Sequence, residues 1–134
     1  ETAYQTAKEV LKKYPEVKGI LGTSSFDAPG TARAIDELGL KGKVFTAGTG
    51  MPAANAQILK DGSVSTLTLW DPANAGYAMA SLATKILNGE QIEDGVNLGV
   101  EGYENMHFSS GSTKVLEGTG WLKITKDNVD SLGF

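Results

Sequence analysis

The chain has 134 residues, which suffices for about one domain or part of one and excludes a complete two-lobed or multidomain protein. Twelve Lys and Arg residues against sixteen Asp and Glu residues give a net charge of −4, which disfavours nucleic-acid binding that depends on a basic face. With 40% hydrophobic and 21% charged residues, the composition is typical of a globular protein that buries a core.

The first predicted elements are a helix, a strand and a loop. Apolar residues recur at three- and four-residue spacing from Ala3 to Tyr14, which predicts a helix with one buried stripe that ends near Pro15. Residues 17–22 form a short apolar run bounded by turn formers, a pattern typical of a strand covered on both faces. The polar residues 23–27 follow this strand as a loop.

The same order of strand, loop and helix then repeats. Residues 28–38 predict a second helix, with Asp27 as its candidate N-cap and Gly39 suited to a left-handed stop. Residues 44–47 indicate another buried strand, and residues 48–51 its exit loop.

A third helix, a third strand and a fourth helix complete the regular part of the sequence. Pro52 favours the first turn of a third helix, which reaches about Leu59. Residues 64–70 alternate in polarity and are rich in β-branched and aromatic side chains, which predicts a third strand, and residues 75–87 predict a fourth helix. Strands that alternate with such helices predict an α/β fold with a mostly parallel sheet and flanking helices.

The sequence changes character after Gly89. Glycines punctuate short segments such as residues 96–100 and 114–116, which predicts strands and loops that wrap a neighbouring body, and an amphipathic stretch over residues 126–134 ends the chain. Because the chain opens with a crossover helix and three parallel strands make a small sheet, we expect a fragment of a longer protein. The first thirteen residues show no signal-peptide or membrane-spanning pattern.

Candidate ligand-binding segments follow from the predicted sheet. In an open α/β sheet, ligands bind at the carboxyl ends of the strands, where loops converge and helix N-termini face the crevice. Residues 23–27, 48–51 and 70–71 meet this rule. The first segment offers three hydroxyl groups, the ring of Phe26 and the carboxylate of Asp27, which match the hydrogen-bonding and stacking needs of a polyhydroxylated ligand. The alternative is a helix-capping loop with Phe26 in the core.

Alternatives also stand for the other two segments. In one interpretation, Trp70 offers a flat surface to sugar C–H groups and Asp71 accepts a hydrogen bond from a hydroxyl group; in the other, Trp70 belongs to the core and Asp71 caps the next helix. Gly48 and Gly50 superficially resemble a phosphate loop, but the third glycine and the Lys-Ser/Thr pair of such loops are missing.

The sequence offers few groups for catalysis or metal binding. The absence of Cys excludes thiol catalysis, disulfides and Cys-based zinc sites, and the single histidine, His107, cannot build a His-rich metal centre. His107 has no Ser or Asp partner at a recognisable motif spacing, which favours a packed or surface histidine over a catalytic one. Neither a complete dinucleotide fingerprint nor a nucleophile-base arrangement occurs. We therefore expect neither an enzyme nor a bound cofactor.

Several segments carry a resemblance to a known family. Residues 7–20, with a Tyr-Pro pair before the apolar strand, and residues 31–35 resemble the second lobe of type I periplasmic sugar-binding proteins. Within that superfamily, the Leu-Trp-Asp-Pro segment at residues 69–72 and the ending at residues 124–134 resemble the autoinducer-2/rhamnose-binding group. The resemblance covers nearly all of the chain, and these last two segments are its more specific parts.

This resemblance implies the carboxyl-terminal portion of a bilobal solute-binding protein of an ABC importer. Such a protein is periplasmic or otherwise extracytoplasmic and closes reversibly on one sugar-like ligand, such as rhamnose or autoinducer-2, without chemistry. The implied partners are a membrane permease and the missing amino-terminal lobe, and no nucleic acid. By the same resemblance, residues 1–70 belong to the second lobe, residues 71–100 cross into the first lobe, and residues 101–134 run between both.

The resemblance also assigns site residues by position. Thr23 and Ser25 stand where the autoinducer-2 group has Pro and Ala, and Ser24 stands where ribose-type receptors have Asn. Gly50 falls where those receptors have Asp, so that a side-chain acceptor is lost, and Trp70 matches a ligand-binding Gln near the hinge. The ligand-binding residues expected in this chain are Thr23, Ser24, Ser25, Phe26, Asp27, Gly50, Trp70 and Asp71.

The main alternative function is the effector-binding domain of a lac-repressor-type transcription regulator, which shares this fold and carries a helix-turn-helix before it. The segment 69–72 and the terminal motif favour the solute-binding protein. On either reading, the helix over residues 75–87 packs on a body outside the chain. We therefore expect exposed apolar surface at Met79, Leu82 or Ile86.

Overall fold

Helices and strands alternate up to residue 87 in the computed structural model, which describes all 134 residues. This arrangement of a mostly parallel sheet and flanking helices confirms the α/β fold class predicted from the sequence. The helices are α1 (Thr2–Lys13), α2 (Asp27–Glu37), α3 (Pro52–Lys60) and α4 (Pro72–Leu87), and a short 3-10 turn spans Val129–Ser131. The strands are β1 (Gly19–Leu21), β2 (Phe45–Thr49), β3 (Thr66–Trp70), β4 (His107–Phe108), β5 (Leu116–Glu117) and β6 (Trp121–Ile124).

The larger sheet has four strands in the order β1-β2-β3-β6. β1, β2 and β3 run parallel, with Ile20 opposite Thr46 and Gly48 opposite Leu67. β6 lies beside β3, where the Thr66 hydroxyl donates a hydrogen bond to a β6 carbonyl oxygen at 2.9 Å. Because β1, β2 and β3 share one direction, their carboxyl ends lie along one edge of the sheet.

The chain divides into two compact units, and the first comprises Glu1–Leu69 and Lys123–Phe134. Its core contains the fully buried side chains of Ile35, Leu67 and Ile124, which come from α2, β3 and β6. This unit holds the four-stranded sheet with α1, α2 and α3.

The second unit comprises Trp70–Leu122. Its core is smaller and forms where Ala78 of α4 meets the loop residues Leu98 and Met106. β4 and β5 form an antiparallel pair, and a single bridge joins Val96 to Met106. Where strands were expected over residues 96–100 and 114–116, the structure has the single bridge at Val96 and the strand β5, which begins at Leu116.

β1 and β2 are less buried than the sequence predicted. Leu21 of β1 is 82% exposed and Gly19 is exposed as well, so the prediction of a strand covered on both faces is wrong. Phe45 of β2, predicted to be buried, is 55% exposed. An apolar run shows that a strand can be covered, but it does not say which segment covers it.

The observed starts of α2 and α4 differ from the predicted ones, and capping explains the difference at α4. α2 begins at Asp27 with Phe26 in the N-cap position, so the prediction that Asp27 is the N-cap is wrong. Gly39 has a φ of 65°, which confirms the left-handed residue predicted after α2. α4 begins at Pro72, three residues earlier than predicted, because Asp71 caps it. No helix is both long and apolar enough to cross a bilayer.

Candidate functional site

The carboxylate of Asp27 organises the loop between β1 and α2. Its Oδ2 atom accepts hydrogen bonds from the backbone N–H groups of Thr23, at 3.0 Å, and Ser24, at 2.9 Å. These bonds, above all those from Ser24, lower the pKa of Asp27, so this carboxylate is ionised at neutral pH. Oδ1 takes part in neither of these backbone bonds.

The other side chains of this loop are exposed. Thr23, Ser24 and Ser25 are open to solvent, and Phe26 is 79% exposed. The interpretation that places Phe26 in the core is therefore wrong. Gly22 permits this tight turn, because a Cβ there would lie 2.3 Å from the Cβ of Asp27.

A groove of about 540 Å³ opens beside the loop. Ser24, Phe26 and Asp27 form one part of its lining, and the rest comes from β1, from Thr31 of α2 and from residues 1–10 at the start of the chain. The groove thus joins hydroxyl, aromatic and carboxylate groups to apolar side chains of α1 and β1 within the first unit.

The loop after β2 offers main-chain groups alone. A Cβ on Gly48 would lie 2.8 Å from the carbonyl oxygen of Gly22, so β2 and the end of β1 approach closely there. Gly50 is buried, and a Cβ on it would lie 3.0 Å from Nδ2 of Asn55. The same amide donates a hydrogen bond to the Met51 carbonyl oxygen at 2.8 Å, which ties the loop to α3.

β3 ends at Trp70, whose ring is 44% exposed. Trp70 meets Trp121 of β6 edge to face, with ring centroids 5.5 Å apart and an angle of 83° between the ring planes. The interpretation of Trp70 as a core tryptophan is therefore wrong. These are the two tryptophans of the chain, and together they present an aromatic surface in the second unit.

Asp71 confirms the capping interpretation. Its Oδ1 atom accepts hydrogen bonds from the backbone N–H groups of Ala73, at 2.7 Å, and Asn74, at 3.1 Å. Oδ2 takes part in neither bond. A capping role and a ligand-binding role are thus compatible for this residue, because each uses a different oxygen.

His107 lies on the surface of the second unit. Its Nδ1 atom is 2.9 Å from Oδ2 of Asp94, and its Nε2 atom is 2.9 Å from Nδ2 of Asn105. The bond to His107 is the main cause that lowers the pKa of Asp94, and the N–H of Phe108 contributes further. No hydroxyl group is hydrogen-bonded to the imidazole, and no group of His, Asp and Glu side chains is arranged to hold a metal ion.

The structure brings some predicted site residues together and leaves others apart. Residues 23–27 form one loop, and Gly50 follows the neighbouring parallel strand in the same unit. Trp70 and Asp71 open the second unit. The sequence analysis missed Trp121 and Asp94, because their partners lie far along the chain and no spacing motif links them.

Parallel strands with polar loops at their carboxyl ends are typical of α/β domains that bind ligands at that edge. The fold and the candidate site of this chain correspond to this class of protein. The chain belongs to the periplasmic binding protein domain family, whose sequence pattern matches residues 1–91, more than half of the chain.

Solved structures are similar over almost the whole chain. A sugar ABC transporter from Actinomyces odontolyticus is 28% identical, with a TM-score of 0.79, and the match covers 98% of this chain and 42% of that one. An ABC transporter solute-binding protein from Agrobacterium vitis, solved with bound D-fucose, is 25% identical, with a TM-score of 0.66, and the match covers 96% of this chain and 37% of that one.

A third structure is similar in fold alone. LsrB from Clostridium saccharobutylicum, solved in complex with AI-2, is 21% identical, with a TM-score of 0.70, and the match covers 98% of this chain and 44% of that one. The chain therefore spans less than half the length of each of these three proteins. The family is described as a periplasmic binding protein domain, and the Agrobacterium vitis neighbour is a solute-binding protein.

Proposed function

We propose that this chain is part of the solute-binding component of an ABC importer and that it takes part in reversible binding of a sugar or sugar-like ligand. The observation that carries the proposal is the similarity to the sugar ABC transporter from Actinomyces odontolyticus over 98% of this chain. The D-fucose complex of the Agrobacterium vitis protein supports the same ligand class. No reaction is part of this function.

The loop after β1 is the first proposed contact region. Sugar hydroxyl groups donate to Oδ1 of Asp27, and the hydroxyl groups of Thr23, Ser24 and Ser25 donate to or accept from the ligand. The exposed ring of Phe26 covers the apolar side of the sugar ring. Asp27 is held by the loop's own N–H groups, so little ordering of this side chain is needed on binding.

The remaining proposed contacts follow β2 and β3. Gly50 contributes main-chain groups, Trp70 an aromatic face and Asp71 its Oδ2 atom. A planar ring and a fixed carboxylate suit a ligand with one apolar face and several hydroxyl groups.

We assign residues 1–70 to the second lobe of a bilobal receptor, residues 71–100 to the first lobe and residues 101–134 to the connection between them. The partners in this proposal are an amino-terminal lobe of the same protein and a membrane permease, and the location is extracytoplasmic. The periplasmic binding protein domain over residues 1–91 supports this location.

Rhamnose and autoinducer-2 are the first ligands that we propose. The residues at 69–72 and 124–134 support this choice, because they resemble those of the autoinducer-2/rhamnose-binding group. The fold shared with LsrB is compatible with it.

Isothermal titration tests the proposal on the longest natural polypeptide that contains these 134 residues, with L-rhamnose, D-ribose, D-fucose and autoinducer-2. We expect heat of binding with at least one of them. Asp27→Asn keeps an acceptor for the loop N–H groups but removes the charge, and it should weaken binding roughly tenfold or more, as for other hydrogen bonds to charged groups. Asp127→Asn, on an exposed side chain that pairs with its neighbour Lys126, is the matched control. Neither heat nor a thermal shift with any of the four ligands would refute the proposal.

A further inference from the structure

Trp121 begins β6, and its ring lies against the ring of Trp70 at the end of β3. The ring centroids are 5.5 Å apart and the ring planes are 83° apart, which is the edge-to-face arrangement that aromatic pairs favour. Both residues nevertheless keep a large exposed fraction, 44% for Trp70 and 58% for Trp121. The pair is therefore an aromatic surface that is open to solvent, and not part of a core.

The main chain before Trp121 is held by close packing of backbone against backbone. A Cβ on Gly102 would lie 2.6 Å from the Cα of Gly120, and a Cβ on Gly120 would lie 2.8 Å from the ring of Tyr103. The Thr119 N–H donates a hydrogen bond to the Gly102 carbonyl oxygen at 3.1 Å. These contacts fix where β6 begins and where the Trp121 side chain leaves the main chain.

The ring of Trp70 depends on a neighbour for its orientation. Asp71 fixes the main chain after Trp70, because it caps α4 with hydrogen bonds from the N–H groups of Ala73 and Asn74. These bonds do not reach the indole ring, which rotates about its side-chain torsion angles unless packing selects one rotamer. Much of the ring is exposed, so few contacts are available to select it. The edge-to-face contact with Trp121 supplies such a preference.

We propose that Trp121 is a positioning residue, which holds the Trp70 ring in the orientation that covers the apolar face of a bound sugar. This inference rests on the proposed function and names its substrate class, a pyranose whose ring C–H groups share one face. The C–H groups carry partial positive charge, and the face of an aromatic ring carries partial negative charge. Because Trp121 orders the ring before the sugar arrives, binding loses little rotational freedom at Trp70.

Isothermal titration tests this role on the longest natural polypeptide that contains these 134 residues, with L-rhamnose, D-ribose and D-fucose, which form pyranose rings. Trp121→Leu keeps apolar bulk without an aromatic ring and should weaken sugar binding by about three- to tenfold, as expected for loss of an aromatic pair. Trp121→Phe keeps a ring and should stay within about twofold of the unmodified protein. Trp121→Met is a second non-aromatic variant, in case Trp121→Leu does not fold.

The matched control is Tyr14→Leu. Tyr14 is 43% exposed, close to the value for Trp70, and it lies between the end of α1 and the start of β1. That position is at the amino ends of the parallel strands, away from the loops that follow them. Sugar affinity should therefore be the same in Tyr14→Leu and in the unmodified protein.

A double-mutant cycle shows whether Trp121 acts through Trp70. Trp70→Leu removes the ring that covers the sugar and should weaken binding more than Trp121→Leu does. When Trp121→Leu is added to Trp70→Leu, binding should weaken no further, because the ring to be oriented is already gone. Additive effects would mean that Trp121 acts independently of Trp70, and they would overturn the positioning role.

Circular dichroism gives a readout that needs no ligand. The 134-residue chain has two tryptophans, and indole rings this close should give an exciton couplet, a pair of bands of opposite sign. Trp121→Leu should abolish the couplet and Tyr14→Leu should retain it. No couplet in the unmodified chain would overturn the inference.

The titrations separate this inference from the proposed function. If a sugar binds and neither Trp121→Leu nor Trp121→Met weakens its binding, the inference is overturned and the proposed function stands. Binding of autoinducer-2 alone, which is not a pyranose, would have the same consequence. Binding of none of these four ligands would refute both.

Discussion

At the scale of single residues, two carboxylates have a structural role that uses one of their two oxygen atoms. Asp27 and Asp71 each use one carboxylate oxygen to accept hydrogen bonds from two backbone N–H groups. The other oxygen takes part in neither bond. From the sequence, capping and ligand binding stood as alternatives for Asp71. The geometry makes them compatible, because the backbone bonds fix the carboxylate without using all of its acceptor capacity.

Substitution of Asp71 should separate the two roles. Asp71→Ala removes the cap and should lower the free energy of unfolding by about 1 kcal/mol. Asp71→Asn should retain nearly all of the stability, since Asn caps as well as Asp does, while it lowers sugar affinity in the proposed receptor. Urea denaturation followed by tryptophan fluorescence measures the first effect, because both tryptophans lie in the same unit as α4. Equal destabilisation by Asn and Ala would contradict the capping role.

The sequence located the loop residues of the candidate site better than it located their partners. Residues 23–27 follow from one rule about the carboxyl ends of strands, and the structure places them in one loop beside a groove. The contact between Trp70 and Trp121 and the bond between His107 and Asp94 join residues that are distant in sequence. Such pairs depend on tertiary packing, which local periodicity does not encode.

At the scale of elements, glycines set how closely β1 and β2 approach at their carboxyl ends. Gly48 faces the backbone of Gly22 so closely that a methyl group would meet a carbonyl oxygen at 2.8 Å. Backbone cannot move aside as a flexible side chain does. The loops that follow both strands therefore depend on this glycine for their spacing.

The same substitution at two glycines should have opposite effects. Gly48→Ala should destabilise the chain by about 1–3 kcal/mol because the new methyl group overpacks against backbone. Gly76→Ala should stabilise it by roughly 0.5–1 kcal/mol, because Gly76 lies inside α4 with open space around the position of a Cβ. Thermal and urea denaturation of both variants measures the two signs. A stabilised Gly48→Ala variant would show that the strands are not in close contact there.

Asp94 is hydrogen-bonded to His107 and Phe108 of β4, and these bonds should weaken in acid. The hydrogen bond to His107 is the main cause that lowers the pKa of Asp94. The ionised Asp94 therefore contributes fully to stability above about pH 4, the ordinary range of an Asp pKa. This contribution is lost as pH falls through the lowered pKa. The native chain should melt at a higher temperature than Asp94→Asn near neutral pH, and the difference should disappear in strong acid. Glu93→Gln, with no side-chain hydrogen bond, is the control and should show no such trend. A difference that persists at all pH values would contradict this ionic contribution.

At the scale of the whole molecule, the sequence predicted the order of elements up to residue 87, the three parallel strands and most helix bounds, but not β6. It overestimated burial at β1 and β2, because hydrophobic patterning describes which faces are apolar and not what covers them. On α4 the expected exposure is confirmed for Met79 and Ile86, whereas Leu82 packs against the core of the second unit. The apolar surface that patterning assigns to burial is thus partly open in this chain.

This open surface should make the isolated chain associate at high concentration. Met79 is 68% exposed and Ile86 is 56% exposed, and their seven-residue spacing places them on the same face of α4, so they favour contact with another surface. A variant with both Met79→Lys and Ile86→Lys should remain monomeric at concentrations where the unmodified chain does not, as measured by size-exclusion chromatography with light scattering. A variant with Ala80→Lys and Asn88→Lys adds the same charge to α4 and its C-cap without removing large apolar side chains, and it should still associate. If the unmodified chain stays monomeric at every concentration, the exposed face of α4 does not drive self-association. If the control variant becomes monomeric as well, net charge rather than this apolar face governs association.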